Sequence, residues 1–356
     1  MRYQPIDLSE LRTLSLRDRP SIVHKDDFAD RPRANASFSE FLDSLPRILF
    51  GHDLREVIDA LVGAHRKKRP IVMAMGAHVI KCGLNPVLIE LMNKQLLTCL
   101  AMNGAGPIHD VEIALVGQTS EDVEAGLKQG TFGMARETGD LIHRALSEHS
   151  DMGLGHAIGY QLLEEKAEFA HLSLLAAAVR NNIPATVHVA VGTDMVHMRA
   201  ETSGRLLGEA SFTDFRIFTS VIRDLSGGVF INAGSSVILP EVFLKALTIA
   251  QNLGADLHDF TTINLDMLMH YRPTVNVVER PATLGSRGFM LSGRHELLIP
   301  LLAFAVLDRL TALEHRGNEE MDPFVSTNEI RTVCNLGGIH GGRGERRSVQ
   351  GPQEDN

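Results

Sequence analysis

Leu96-Leu-Thr-Cys-Leu-Ala-Met-Asn-Gly-Ala-Gly-Pro-Ile-His-Asp-Val-Glu112 is the stretch of this chain that decides its fold. An apolar run ends at Ala101, and a turn with two glycines and a proline follows. The polar side chains His109, Asp110 and Glu112 come directly after that turn. An apolar strand that leads into such a turn is typical of a ligand site at the strand ends of an open α/β sheet. We therefore expect the site of this protein around residues 102–112.

Apolar runs and helical patterns alternate on both sides of this stretch. Strands are expected at residues 70–76, 96–102, 185–191, 227–234, 260–265 and 275–278. Helices are expected at 53–65, 85–94, 110–115, 134–149, 155–169, 173–182, 212–225, 240–247 and 295–313. This alternation predicts a Rossmann-like, doubly wound α/β fold, with a mainly parallel sheet and helices on both faces.

Composition and charge exclude several classes of protein. The chain has 356 residues, 44% of them hydrophobic, and a net charge of −9 from 44 acidic and 35 basic residues. This acidic balance argues against an extended nucleic-acid surface, which needs clustered Lys and Arg.

No apolar run reaches the roughly 20 residues that span a bilayer, and the first residues are too charged for a secretory signal. Cys82, Cys99 and Cys334 cannot form a disulfide framework. We expect a cytoplasmic protein without a membrane partner.

The chain divides into three expected segments. Residues 1–45 lack a sustained apolar period and are interpreted as an arm that wraps the body or a neighbouring subunit. Residues 46–333 are expected to form a single α/β domain. Residues 334–356, rich in glycine and charge, are expected to be a disordered tail.

Glycine-containing turns follow the expected strands at residues 76–78, 103–106, 192–194 and 232–236. Glycine lets the backbone approach a ligand, and free amides at the start of the next helix can hold a phosphate. Their recurrence favours a nucleotide, although the strict GxGxxG fingerprint is missing. A further helix start is expected at 119–122, with Thr119 or Ser120 as the cap.

Two groups of acids and histidines are candidates for chemistry. His109 lies beside Asp110 and Glu112, and Asp194 lies three residues before His197. Such pairs can transfer protons or bind ribose hydroxyls, and the alternative is a capping aspartate with a buried structural histidine. No HExxH or HxH signature occurs, so we expect no catalytic metal. A serine nucleophile elbow is also missing, and Cys82 is as compatible with a buried thiol as with a reactive one.

The order of these motifs resembles that of the deoxyhypusine synthase family over about residues 70–305. The matching pieces are Met75-Gly76 to Gly83, Asn103 to Gly106 with Asp110, Asn181 to Pro184 with Asp194, Asp214-Phe215, Gly227 to Ser236, Asn252 to Asp256, and Leu298 to Leu302. The resemblance implies a Rossmann-like fold that binds NAD, a homotetramer with sites at subunit interfaces, and removal of hydride from an amine. In that family the resulting imine passes to a lysine of the enzyme.

This chain departs from the family pattern at three places. Arg272-Pro273 is present, but the following segment, 276–281, has no lysine where the family carries its catalytic one. Pro240-Glu241 stands in place of a family histidine, and His109 stands in place of an acid. The resemblance therefore implies the cofactor half of the site more than it implies a covalent lysine intermediate.

The sequence thus predicts a deoxyhypusine synthase-like, NAD-dependent enzyme that acts on an amine or amino acid, with transfer or deamination after hydride removal. Its expected catalytic residues are His109, Asp110, His197 and Glu241. Its expected cofactor-binding residues are Gly76, His78, Asn103, Gly104, Ala105, Gly106, Asp194, Gly234, Ser235, Ser236 and Asp266. Two alternatives stay open: an amino-acid cyclodeaminase that recycles NAD, and a catalytically silent nucleotide-binding paralogue.

Overall fold

One parallel sheet of six strands organises the chain. The computed structural model describes the backbone of residues 3–321 and the side chains of residues 3–315. The strands are β1 Ile71–Met75, β2 Cys99–Asn103, β3 Ala185–His188, β4 Val229–Ala233, β5 Thr261–Asp266 and β6 Arg287–Ser292. Their order is β3-β2-β1-β4-β5-β6, and every neighbouring pair is parallel. This order is the doubly wound one, so the predicted Rossmann-like fold is confirmed.

Helices connect the strands. They are α1 Phe38–Ser44, α2 Leu49–Arg66, α3 His78–Lys81, α4 Asn85–Asn93, α5 Ala105–Val116, α6 Val123–Gln129, α7 Arg136–His149, α8 Leu154–Glu164, α9 Leu174–Arg180, α10 Gly204–Arg223, α11 Ile238–Asn252 and α12 His295–Met321. Short 3-10 turns occupy Lys25–Asp27, Ser150–Met152, Ala170–Leu172, Met195–Met198 and Arg280–Leu284. A π-helical segment runs from Pro273 to Glu279.

Both faces of the sheet are covered, as the continuous apolar strands predict. All residues of β1 are buried, and successive side chains point to opposite faces. Val72 and Ala74 join a core with Phe218 of α10 and Phe243 of α11, where the rings of Phe230 and Phe243 stack at 3.7 Å. On the opposite face an apolar space is lined by residues of β1, β4, β5, α2, α4 and α12: Leu61, Ile71, Met73, Leu91, Ile231, Leu265, Ile299 and Leu302 among them.

One expected strand is wrong, and one strand of the structure was not expected. The strand expected at 275–278 is part of the π-helical segment, because Pro273 starts a helical turn and Asn276 and Val277 pack inward. The last strand is instead β6, an edge strand that the sequence did not reveal because its burial is mostly partial. The N-cap of α6 also differs from the expected one. It is Asp122, not Thr119 or Ser120, and it accepts a hydrogen bond from Ala125 N at 3.0 Å.

The N-terminal residues form an extended segment before α1. Its large apolar side chains from Tyr3 to Phe28 are all more than half exposed. Backbone hydrogen bonds from Arg47 N to Asp27 O and from Asp30 N to Ser44 O tie its end to the body. The arm boundary at residue 45 and the single domain at 46–333 stay predictions, and the expected tail at 334–356 lies outside the described residues.

Internal contacts divide the chain into Met1–Arg309, which contains the sheet, and Leu310–Asn356. The described part of the second unit is the last portion of α12. Among the described residues, no helix combines the length and the apolar character needed to cross a bilayer.

A buried carboxyl group joins α10 to β3 and α8. Asp214 is fully buried, and its Oδ2 accepts hydrogen bonds from Val187 N at 2.8 Å and Gly155 N at 3.0 Å. Burial raises the pKa of Asp214 from its ordinary 3.8 to about 7, against the opposing effect of these hydrogen bonds. The folded protein therefore retains this proton at pH values where the unfolded chain has lost it.

The stability of the protein should consequently fall as the pH rises from about 4 to about 7, by up to about 4 kcal/mol from this group. Asp214→Asn, which is neutral at every pH, should flatten this part of the profile in urea unfolding followed from pH 4 to 8. Asp224→Asn at the exposed C-terminal end of the same helix is the matched control. If the Asp214→Asn and wild-type profiles run parallel, the buried carboxyl group does not titrate in this range.

Candidate functional site

The predicted site residues gather at one edge of the sheet. Because all six strands are parallel, their carboxyl ends share that edge. Gly76 follows β1, Asn103 ends β2, Gly234 follows β4, and Asp266 ends β5. The sheet changes its winding direction between β1 and β4, where ligands bind in this class of fold.

Two predicted glycines meet at this change of direction. Gly76 N donates a hydrogen bond to Ala233 O at 2.9 Å, and a Cβ on Gly76 would overlap the Gly234 carbonyl oxygen. Gly234 has a φ of +66°, and a Cβ there would lie 2.6 Å from His295 Cε1. Both positions therefore require glycine, one for a close backbone approach and one for a left-handed turn.

The turn after β4 leads into the helix α11. α11 has 15 residues, and Ser235 Oγ accepts a hydrogen bond from Leu239 N in its first turn at 3.2 Å. Asn232 Nδ2 donates to Ser235 O at 3.0 Å and to Asn264 Oδ1 at 2.7 Å, which fixes the turn from below. Asp266 follows at the end of the next strand, with only 8% of its surface exposed. A glycine turn, a helix start and an acid after the next strand are the elements of a mononucleotide-binding half.

A carboxylate covers the start of α5. Asp194 is 8% exposed, and its side chain occupies the space that a Cβ on Gly104 would need. Asp194 Oδ2 and the neighbouring strand-end atom Asn103 Oδ1 are buried without a hydrogen-bond partner among the described residues. Burial raises the pKa of Asp194, against the smaller opposing effect of the neighbouring His197. A carboxylate at this place would repel a phosphate, and phosphate binding by the amides of this helix start stays a prediction.

His109 belongs to a chain of short hydrogen bonds. His109 Nδ1 lies 2.6 Å from Thr119 Oγ1, and Thr119 Oγ1 lies 2.6 Å from Glu112 Oε2. Burial acts to raise the pKa of Glu112, but the nearby His109 ring and the hydrogen bond from Thr119 outweigh it, and the pKa is lowered. Glu112 is thus ionised and accepts hydrogen bonds only. His109 and Glu112 were expected here from the sequence, whereas Thr119 was expected only as a helix cap.

His197 has the opposite arrangement of its ring nitrogens. Its Nδ1 accepts hydrogen bonds from the backbone N–H groups of Gly192 and Asp194, both at 3.2 Å. The neutral ring therefore carries its proton on Nε2, which is buried without a partner among the described residues. In this state His197 can donate a hydrogen bond to a ligand but cannot take a proton from it.

Asp110 has a structural role. It is fully buried and accepts hydrogen bonds from Ser173 Oγ, Leu174 N, Leu175 N and Asn85 Nδ2 at 2.6 to 3.2 Å. Two of these donors are the free backbone N–H groups at the start of α9. Both carboxylate oxygens are fully engaged in these bonds, which favours a structural role, and the catalytic role expected for Asp110 stays a prediction.

Glu241 is also engaged by other residues. It forms ion pairs with Lys245 and Arg272 and accepts a hydrogen bond from Asn276 Nδ2 at 3.1 Å. The hydrogen bond from Lys245 is the largest cause of its lowered pKa. Glu241 thereby ties α11 to the π-helical segment in which the family resemblance would place a lysine.

His78 adjoins two residues that the sequence did not single out for the site. Its Nε2 lies 3.4 Å from Cys82 Sγ, and its ring centroid lies 5.7 Å from that of His295. Burial and the nearby Glu296 carboxylate raise the pKa of the Cys82 thiol, which argues against a thiolate nucleophile. His295 donates from Nε2 to Leu265 O at 3.0 Å, and it was missed because the strand before it was missed.

Among the described residues, one group of side chains away from the carboxyl edge of the sheet could act as metal ligands. The side chains of Glu148, His149 and Glu164 have ligand atoms within 4.8 Å of one another. Both glutamates are exposed, and none of the three is a predicted site residue.

The comparisons with known proteins show likeness at the level of architecture. No family model matches the sequence, and no curated protein matches it. Among solved structures, a complex of AgrE with ornithine and NAD+ superposes with a TM-score of 0.46 at 15% identity, over 73% of this chain and 34% of AgrE. A conserved protein from Methanococcus maripaludis S2 assigned to the LOR/SDH group gives 0.45 at 14% identity, over 82% of this chain and 74% of its own.

A protein from Entamoeba histolytica assigned as a deoxyhypusine synthase gives a TM-score of 0.45 at 12% identity, over 76% of this chain and 93% of its own. The chain spans about a third of the length of AgrE. At these identities the likenesses concern the fold alone.

Asp110→Ala should lower the free energy of unfolding by about 3 kcal/mol, because it leaves buried N–H and O–H donors without an acceptor. The neighbouring change His109→Ala should cost about 1 kcal/mol, since His109 caps no helix. Urea unfolding of both variants measures the difference. Equal losses would mean that Asp110 is no more structural than its neighbour.

Proposed function

We propose that this protein is an NAD-dependent enzyme that acts on an amine or amino-acid substrate and begins by removing hydride from the carbon attached to nitrogen. The observation that carries the proposal is the unit β4, α11 and β5, with its glycine turn, helix start and terminal Asp266. This unit lies beside the change of winding direction, where dinucleotides bind in doubly wound sheets.

The residues present fit a dinucleotide. The backbone N–H groups of Ser235 and Ser236 lie just before the start of α11, a long helix whose dipole favours phosphate. Gly234 N instead donates to Leu265 O at 3.0 Å. Asp266 Oδ1 accepts one hydrogen bond, from Leu268 N at 3.3 Å, so the carboxylate retains capacity for ribose hydroxyls. Gly76 and His78 adjoin this turn from β1. When bound, the nicotinamide would supply the hydride acceptor.

The other half of the edge favours a cationic substrate. Asp194 Oδ2 and Asn103 Oδ1 are buried acceptors without partners in the described part of the chain. A buried, unpaired carboxylate is costly, and an ammonium group offers both the charge and the N–H donors that would satisfy it. The segment from Asn103 to Gly106, with Ala105 in the first turn of α5, would then contact the substrate and the adjoining nicotinamide rather than phosphate.

The motif resemblance to deoxyhypusine synthase supports the same substrate class, but not its lysine intermediate, because residues 276–281 contain no lysine. Release of ammonia from an amino acid without a protein acceptor would favour the cyclodeaminase alternative. Assembly as a homotetramer stays a prediction of the resemblance.

NAD+ at about 100 times its dissociation constant should stabilise the protein by about 2.7 kcal/mol, a rise in melting temperature of about 5 °C. Asp266→Asn should weaken binding about tenfold, because it loses the ionised acceptor for ribose. Asp256→Asn, before the same strand and with its side chain 91% exposed, should bind as the wild type does. Calorimetric titration with NAD+ checks all three proteins. An unchanged melting temperature in NAD+ would overturn the proposed function.

A further inference from the structure

We propose that Thr119 and Glu112 are positioning residues that hold His109 with a free lone pair on Nε2, and so make it the group that takes the proton from the substrate ammonium. This inference rests on the proposed function for the identity of the substrate. Its structural part, the position of the proton on the ring, stands without it.

The direction of the hydrogen bonds follows from the charge of Glu112. This carboxylate is ionised and can only accept, so the Thr119 hydroxyl must donate its proton to Glu112 Oε2. The Thr119 oxygen is then available only as an acceptor toward the ring. His109 Nδ1 must therefore carry a proton and donate it to Thr119 Oγ1.

The proton on Nδ1 leaves the lone pair of the neutral ring on Nε2. No hydrogen bond engages Nε2 within the described residues, and this atom is not among the fully buried ones without a partner. His109 thus has one nitrogen fixed by the protein and one open to a ligand. His197, with two N–H donors on Nδ1, lacks such a lone pair.

The chain folds locally to make this contact. α5 ends at Val116, and Gly117 caps it with a φ of +69°, which turns the backbone back along the helix. Thr119 can then reach the gap between His109 and Glu112, which lie three residues apart on α5, with 3.7 Å between His109 Nδ1 and Glu112 Oε2. The side chains of His109 and Glu112 are only 14% and 18% exposed, so water competes little for these hydrogen bonds.

The step that this arrangement serves is one proton transfer. An N–H bond of the substrate ammonium breaks, an Nε2–H bond forms on His109, and the electron pair stays on the substrate nitrogen. The neutral amine that results has the lone pair needed to expel hydride from its carbon. The imidazolium is stabilised by the Glu112 charge through Thr119, since Glu112 is the only partner at ion-pair distance from His109 among the described side chains.

Nitrogen NMR of histidine-labelled protein tests the structural part without substrate or cofactor. In the neutral ring of His109, assigned through His109→Gln, we expect a protonated Nδ1 and an unprotonated Nε2 in the wild type. Thr119→Ser keeps the hydroxyl and should keep this pattern, whereas Thr119→Val should give a mixture of tautomers. A protonated Nε2 in the wild type, or an unchanged pattern in Thr119→Val, would overturn the inference.

Kinetics test the functional part on a panel of basic amino acids and aliphatic diamines with NAD+. Thr119→Val and Glu112→Gln should lower kcat about 10- to 100-fold with KM changed less than twofold, and Thr119→Ser should recover most of the loss. Glu124→Gln, on α6 with its side chain 84% exposed, is the matched control and should leave kcat unchanged. An equal kcat in Thr119→Val and wild type would contradict a positioning role. Absence of NAD+ binding would instead remove the proposed function, whatever the tautomer.

Discussion

The contact between the ends of β1 and β4 is the constraint on which the site depends. The helices that follow these two strands leave toward opposite faces of the sheet, so a crevice opens between them at the carboxyl edge. The crevice can be narrow only if the backbones that follow β1 and β4 are in contact. Gly76 makes this contact, because its backbone lies against the Gly234 carbonyl oxygen. Gly234 also makes room for the His295 ring, which bonds to the end of β5. Three strand ends are therefore fixed relative to one another before any ligand binds.

The two sides of this crevice differ in charge. On the β4 and β5 side lies the start of α11, and Asn232 bonds to the turn before it and to Asn264. On the β2 and β3 side, Asp194 presses a carboxylate against Gly104. In the proposed function the first side holds the phosphates of the cofactor and the second side holds the cationic substrate. The two histidines on this side would take different roles in that proposal, because His197 offers a donor at Nε2 and His109 offers an acceptor there.

Much of the fold could be predicted because buried parallel strands carry continuous apolar runs that end in glycine. β1, β2 and β4 follow this rule, and their turns supplied the predicted site residues. β6 could not be found in this way, because an edge strand is paired on one side only and its sequence, Arg287 to Ser292, is polar at both ends. The run at 275–278 has the β-branched residues of a strand, but the preceding Pro273 fits the first turn of a helix and tertiary packing decides the outcome.

The roles of individual side chains were harder to predict than their location. Asp110 and His109 are neighbours on one helix, yet only the structure distinguishes their roles. Asp110 accepts hydrogen bonds from the start of α9, and His109 is bonded to Thr119. The partners of Asp110 lie far along the chain, and the partner of His109 lies beyond the end of its helix. A local sequence pattern therefore does not predict either contact. His197 likewise could not be distinguished from His109 as a base until the donors to its Nδ1 were known.

Hydrogen–deuterium exchange with and without saturating NAD+ tests the central claim, a nucleotide in the crevice between β1 and β4, most directly. The account predicts slower exchange in peptides that contain residues 76–78, 234–237 and 266–268, and little change at the opposite edge of the sheet. Protection confined to the amino edge of the sheet, or none at the carboxyl edge, would contradict it.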